Sequence, residues 1–372
     1  VLRNGSDTVA VVVNGNFTFT VADGGGYDVR VAVQPGSSGE LCAVTNGSGT
    51  VAGANINNIV VTCTPYHVTE YSIPGNNAGL VRGSDGNLWG LSRQWDDSSN
   101  NYTNGLYRID PNSSPVVIPV LLSGNFSTTA NSIADLFAGP DGQLWFLSNP
   151  NTMAHTTLAG VSQTVATLPG GNSFSFPFVA LGPVDRDGQV WFWNSPTIGR
   201  MDITGTISSS QDIQNISVSS MTLGPDGNIW FTTYGDTSVD PDANSVRFIT
   251  TAGQVTTFLR LSPDAYPTAI TSGPDGNLWF MESGRIATIT SAGIVRYPLS
   301  APGAFMTPGP DGALWFTGQT SNQIGRITND GTVTLFTVPT ADGNPTYITT
   351  GPDGKIWFSQ TNKVAAIDGL TI

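Results

Sequence analysis

The chain has 372 residues, of which 11% are charged, and a formal net charge of −13. Clustered Lys and Arg are missing, with Lys355 and Lys363 the only lysines, so nucleic acid and anionic membrane surfaces are excluded as partners. No apolar run approaches the length of a transmembrane segment and no apolar positions repeat at helical spacing, which leaves an all-β chain whose solubility rests on Asn, Ser, Thr and Gly.

Residues 1–64 read as a small Ig-like β-sandwich. Asn14-Gly15 signals a turn, Phe17, Phe19 and Val21 alternate, glycines 24–26 signal another turn, and Val29, Val31 and Val33 alternate again. Cys42 with Val44, and Ile59 with Val61 and Cys63, are expected to put both sulfurs on inward faces, where a Cys42–Cys63 disulfide closes the unit. An oxidising, extracytoplasmic location follows, secreted or at the cell surface. The pattern NGxFTF…C.V.NG.G…V.V.C is similar to short sandwich modules that recur in secreted bacterial proteins, which implies a spacer. The chain opens on Val1 without a signal-peptide pattern, as expected of a processed or truncated start, and the sandwich should lack its first strand.

Residues 65–372 are organised by one phrase. GPDGNIWF at 224–231 returns as GSDGNLWG at 83–90, GPDGQLWF at 139–146, GPDGNLWF at 273–280, GPDGALWF at 309–316 and GPDGKIWF at 351–358, while GPVDRDGQVWF at 182–192 reads as a copy with a short insertion. Pro sets φ for a turn, Asp bonds its own backbone, and Gly takes the positive φ that closes a hairpin. The apolar run that follows does not alternate, so both of its faces need cover. Seven tryptophans, 36 to 56 residues apart from Trp89 to Trp357, give a period near that of a four-stranded propeller blade. The expected fold is therefore a seven-bladed β-propeller. After the last phrase only one further strand remains, near Val364–Ile367, so segment 67–73 is predicted to supply the missing outer strand and close the ring.

The near-identical a–b turns make one face scaffold. The other face, with the b–c loops and d–a connections, is where function is expected. Long loops at 93–104 and 234–244 bring Trp95, Asp96, Asp97, Tyr102, Tyr234 and Asp236 there, and the d–a segments bring Phe126, Phe174, Phe176, Tyr266, Phe305 and Tyr347. Aromatic rings beside Asp and Asn suit a carbohydrate, a peptide or a protein surface. Asp240, Asp242 and Asn244 have the alternate spacing of a calcium loop without its glycine and closing glutamate, so a divalent cation, Ca or Mg, is one reading and an Asn-rich turn the other.

The stretch GPDGALWFTGQTSNQIGRITNDGTVTLF at 309–336 resembles the virginiamycin B lyase (streptogramin lyase) family of seven-bladed propellers. That resemblance implies a carbon–oxygen lyase that opens a cyclic peptide ester with a metal ion and a histidine base. The family's E-P-H-G-I stands here as Asn344-Pro345-Thr346-Tyr347-Ile348, its P-H-A-I as Gly303-Ala304-Phe305-Met306, and the acid after the last Trp-Phe falls at Gln360 or Thr361. Shifting by one blade finds Pro267-Thr268-Ala269-Ile270, again without histidine. Glu282 alone keeps the W-F-x-E acid, and the only histidines are His67 and His155. Elimination needs a positioned base and a stabilised leaving oxygen. The expectation is thus a binding or assembly propeller. One alternative is a metal-assisted enzyme using Glu282, Asp236 or Asp96-Asp97; another is a fibre subunit in which the N-terminal sandwich accepts a strand from a neighbour and self-assembles.

Overall fold

The structure, a computed structural model, describes all residues except 12–14, 32–39, 97–100, 113–116, 121–122, 125–132, 149–151, 170–180, 215, 300–302, 319–321 and 369–372. The described residues are all-β. None of them forms a helix able to cross a membrane. The N-terminal unit contains β1 (Leu2–Asn4), β2 (Asp7–Val9), β3 (Gly26–Val31), β4 (Glu40–Thr45), β5 (Ser48–Thr50) and β6 (Val60–Pro65), arranged as a four-stranded sheet in the order β2-β1-β3-β5 and a two-stranded ribbon of β4 and β6.

Three details differ from the sequence reading. The stretch around Phe17, Phe19 and Val21 is not a strand, and the two phenylalanine rings pack edge to face at 6.1 Å instead. The Cys42–Cys63 disulfide forms, but it joins residues directly opposite each other in the β4–β6 ladder, so it staples one ribbon and leaves Cys63 exposed. β1 is paired on both sides, with β2 and β3, so no strand-wide gap lies beside it; the open edges of that sheet are β2 and β5.

Seven four-stranded antiparallel units follow, each running from an inner strand a to an outer strand d, with a fifth short strand added to the second blade. Blade 1 is β8 (Asn76–Arg82), β9 (Leu88–Asp96), β10 (Asn101–Ile109) and β11 (Val117–Val120), once the closing strand β7 (His67–Ser72) is set aside. β7 pairs with Lys363–Asp368 in register from Ser72 opposite Lys363 to His67 opposite Asp368, so the ring is closed by its own two ends as expected.

The repeated phrase is explained by one contact. In every blade the tryptophan is buried between sheets, and its indole N–H donates to the turn aspartate at 2.8 to 3.1 Å. The apolar run fails to alternate because its two faces meet two different blades: Trp315 packs with Ile356 and Phe358 of the seventh blade, and Trp357 with Leu80 and Leu88 of the first. In six of the seven blades the phrase opens on a glycine, and there the glycine gives the indole space. A Cβ at Gly273 would lie 2.4 Å from Trp279 Cδ1.

Blade 3 corrects the reading of an insertion. Its strand a is Leu181–Val184, and the turn begins at Asp185, whose N–H bonds Gln189 O as the leading glycine does elsewhere. Asp185 then supplies the carboxylate for the indole, at 2.8 Å, leaving Asp187 exposed. The phrase there is DRDGQVWF, with no extra residues. Blade 1 departs for a different reason: Gly90 replaces the phenylalanine because the ring comes from Tyr107 across the ladder, and a Cβ at Gly90 would sit 2.0 Å from it.

The closure is pinned by Glu70 of β7. Its carboxylate accepts from Thr340 N at 3.0 Å, Thr340 Oγ1 at 2.6 Å, Gln360 Nε2 at 3.2 Å and Lys363 Nζ at 2.7 Å. Burial alone would raise its pKa, yet these bonds outweigh it and hold the group below the ordinary carboxylate value. Stability from Glu70 is therefore fully present above the ordinary glutamate pKa and is lost as pH falls below it, through the depressed value of the folded state. Glu70→Ala is expected to destabilise the propeller by about 2 to 3 kcal/mol at pH 7 and to flatten the acid limb of its stability curve, measured by urea denaturation across pH. Gly273→Ala should cost about 1 to 3 kcal/mol in the same assay, because the added Cβ would force the indole or the turn to shift.

Candidate functional site: the loop face

Opposite the tryptophan turns, three d–a connections prolong the a–b ladder in the same way. Thr268 N donates to Met281 O at 3.1 Å, Ala304 N to Thr317 O at 3.1 Å, and Thr346 N to Ser359 O at 3.0 Å. The return bonds run from Met281, Thr317 and Ser359 N to the carbonyls of Ala269, Phe305 and Tyr347. Blades 5, 6 and 7 thereby present one backbone frame to solvent, and only the side chains differ.

Two of these frames share an unusual residue. Tyr266 and Asn344 occupy equivalent places, each before a buried proline, with φ of 40° and 45°. The residue before each is clamped by the strand b end, Ser283 N to Ala265 O at 2.6 Å and Thr361 N to Gly343 O at 2.9 Å. Asparagine accepts left-handed φ readily, whereas a tyrosine there is strained. Tyr266 is nonetheless 56% exposed, so no packing in the fold compensates.

Phe305 and Tyr347 lie side by side, centroids 4.7 Å apart and planes inclined by 35°. Thr268 Oγ1 donates to Gly303 O at 3.2 Å, tying the Tyr266 segment to the one carrying Phe305. Beneath Tyr347, Ser359 Oγ accepts from its N–H at 2.9 Å and forms a hydroxyl–hydroxyl hydrogen bond with Thr346 Oγ1 at 2.7 Å. Blade 1 adds a hairpin in which Trp95 stands opposite Tyr102 and Asp96 opposite Asn101. β9 and β10 have nine residues each where Leu314–Gly318 and Gln323–Ile327 have five, so the hairpin reaches about 13 Å further. Asp97, Phe126, Phe174 and Phe176 lie outside the described residues.

The remaining candidates are engaged within the protein. Tyr234 sits in strand b opposite Ser217, and burial pushes its phenol up. Exposed Asp236 caps its own loop, accepting from Ser238 N at 2.8 Å and Oγ at 2.6 Å, and the Ser238 hydroxyl foremost holds it below its usual range. The Asp240, Asp242 and Asn244 set is taken up by the protein itself. Asp242 pairs with Arg260 and accepts from Thr257 at 3.1 Å; Asp240 faces buried Arg247 at 3.6 Å; Asn244 donates to Pro263 O at 2.6 Å. Arg247 also donates to Asp242 O at 2.6 Å and Ser245 Oγ at 2.8 Å, which makes it the hub of this loop.

Glu282 is buried and engaged by Arg296 Nε at 2.6 Å, with Arg285 at 3.9 Å. His155 directs Nδ1 at Asp141 Oδ2, 3.2 Å away, beneath the edge of Trp145. Arg200 and Arg326 fill the same cross-strand place in blades 3 and 6 and bond Asp185 and Asp311 in the same manner. His155 is thus a turn brace on the scaffold face. His67 is exposed at the start of β7, opposite Asp368. The side chains at these positions do not fit the metal ion that the sequence resemblance implies: Glu282 is taken by arginine, hydroxyls stand at 268 and 346, and no three His, Cys, Asp or Glu converge among the described residues.

The strain at Tyr266 was missed by sequence reading; the alignment of Tyr266-Pro267 with Asn344-Pro345 pairs the two positions, but the φ that strains a tyrosine there is seen only in the structure. Tyr266→Asn is expected to stabilise the protein by about 1 kcal/mol, read as a raised urea midpoint.

Comparison with known proteins gives a consistent picture. The family model described as the virginiamycin B lyase family matches residues 179–369, just over half of the chain. A solved streptogramin B lyase is 27% identical, with a TM-score of 0.66 over 82% of this chain and 97% of that one. A catalytically inactive histidine-to-alanine variant of virginiamycin B lyase from Staphylococcus aureus, solved with quinupristin, is 25% identical, with a TM-score of 0.65 over 81% of this chain and 99% of that one. The extracellular domain of a hybrid two-component system from Bacteroides thetaiotaomicron shares the fold at 14% identity, with a TM-score of 0.61 over 84% of this chain and 44% of that one. No curated protein sequence matches.

Proposed function

The chain belongs to the virginiamycin B lyase family, and from that footing we propose that it is an extracytoplasmic binding propeller whose loop face holds a carbohydrate or peptide against Tyr266, Phe305 and Tyr347. The observation that carries this reading is Tyr266: a bulky residue with φ of 40°, clamped on both sides, whose ring is left in solvent. Backbone strain of that kind is kept where the side chain has work outside the fold. Phe305 and Tyr347 extend the same apolar surface, and the neighbouring backbone and hydroxyls give it hydrogen-bonding edges. The Cys42–Cys63 bridge and the extracellular neighbour from B. thetaiotaomicron support the location.

A binding role is favoured over lyase chemistry by the state of the groups that could move a proton. Glu282 is ion-paired with Arg296, His155 braces a turn on the far face, and His67 lies on the outermost strand. A base for elimination has to reach the substrate proton directly or through one water.

The test is calorimetric titration with quinupristin and with a panel of neutral oligosaccharides, alongside chromatography and NMR of quinupristin, since ring opening by elimination leaves the mass unchanged. At least one probe is expected to bind, with affinity falling about tenfold in Phe305→Ala and in Tyr266→Asn, about 1.4 kcal/mol each, while quinupristin stays cyclic. Turnover of quinupristin that Glu282→Gln abolishes would overturn the non-catalytic reading. Binding indifferent to both aromatic variants would overturn the assigned surface.

A further inference from the structure

The N-terminal sheet carries two arginines in the least comfortable arrangement a ladder offers. Arg3 of β1 and Arg30 of β3 are directly opposite each other. Like charges in that relation repel, and the chain has few basic residues to spend on such a pair. The structure shows what relieves it. Arg3 Nη2 lies 3.2 Å from Asp330 Oδ2 and Arg30 donates to the same oxygen, while Arg30 is also held by Asp28 at 2.8 Å. Asp330 belongs to the c–d turn of the sixth blade, roughly 300 residues away in sequence.

The turn itself is specialised for this. Each comparable turn ends in a positive-φ glycine at 160, 205, 253, 293 or 331. The residue before that glycine is Ala159, Thr204, Ala252 or Ala292 in blades 2 to 5, and an acid only in blade 6. Asp330 is aimed by its own turn, accepting from Thr328 Oγ1, from Thr332 N at 3.3 Å and from Thr332 Oγ1 at 3.3 Å. Its side chain is 20% exposed against 39% and 41% for the two arginines, so the carboxylate is the inserted partner. Burial would raise its pKa, but the Thr328 and Arg30 bonds keep it far below the usual carboxylate range.

We propose that the Arg3–Arg30 pair is a carboxylate receptor built into the N-terminal sheet, and that Asp330 is its ligand, locking the N-terminal unit to the scaffold side of the propeller. Units joined in one chain move relative to each other unless their interface prevents it. Here the joint is already short. Tyr66 alone separates β6 from β7, and its ring packs edge to face on Phe336 at 4.8 Å. That contact fixes one point, and a hinge through one point can still swing. The Arg–Asp–Arg contact is the second point, and two points remove the swing. The unit is then held beside the c–d turns, and the loop face with Tyr266 is directed away from it. This goes beyond the ligand proposed above and does not depend on it.

The experiment uses the whole chain with its disulfide intact, spin-labelled through non-canonical residues at Ser48 and Ser291, both exposed. Electron–electron double resonance should give one narrow distance distribution. In Asp330→Asn, in the Arg3→Gln/Arg30→Gln double variant, and in wild-type protein at 1 M salt, where the screening length is about 3 Å, its width should at least double. Asp330 also holds its own turn, so the arginine variant, which leaves that turn intact, is the discriminating arm. Unchanged width in the arginine variant, or a broad distribution in the unmodified protein at low salt, would overturn the proposal.

Discussion

The structure depends on how seven indole N–H groups are satisfied in an apolar layer. Each tryptophan is pressed between two sheets, where a bare donor would cost about 1 to 3 kcal/mol. The turn four residues earlier in most blades supplies a carboxylate at 3 Å or close to it. Turn and core are therefore one device. In six blades the aspartate that closes the hairpin also solvates the indole, and the glycine that opens it keeps out the Cβ that would strike the ring; in blade 3 Asp185 opens the turn and solvates the indole itself. Each position in the phrase answers to its neighbours, which leaves that face of the disc little freedom to vary. Differences between blades accumulate on the other side.

Most of the architecture was legible in the sequence because of that coupling. The phrase marks the a–b turn of every blade, and once the turn is known the period locates the other three strands. In the sixth blade the phrase at 309–316 runs into Leu314–Gly318, and Gln323–Ile327 and Val333–Thr337 follow within the same period. Ring closure was legible for a topological reason, since one outer strand was missing at the end and one unassigned strand stood at the start. What could not be read is informative as well. Alternation at Phe17 to Val21 gave the right polarity pattern for a strand, but alternation does not supply a hydrogen-bonding partner. The sulfurs of Cys42 and Cys63 were paired correctly, while the idea that both faced inward failed: opposite residues of one ladder can be bridged with one side in solvent.

The candidate site was legible in part. Tyr266, Phe305 and Tyr347 were placed on the loop face by counting strands, and the structure puts two of the three rings in contact. Their significance lay in a dihedral angle, which residue type alone does not reveal. At the acidic loop from Asp240 to Asn244 the sequence reading left out the cations that its oxygens face. Spacing records where oxygens could be, whereas Arg247 and Arg260, the second beyond the next turn, decide what those oxygens face. Arg247 is buried, and without the Asp240 and Asp242 carboxylates its charge would be uncompensated.

The same logic describes how the loop face is held together within the shared scaffold. In a propeller the ends of strands a and b sit close to the axis, so a group placed there can meet a ligand from several blades at once. Here those ends are occupied by contacts that hold the frame together: Thr346 with Ser359, Thr268 with the carbonyl of Gly303, Thr317 with the N–H of Phe305. A hydroxyl that closes a backbone gap cannot also take a proton from a ligand at neutral pH. The aromatic rings beside these hydroxyls need no proton chemistry to act, since their contribution is area and shape. The frame keeps these rings apart from the core even at the cost of a strained tyrosine, and that is the physical ground on which the binding proposal rests.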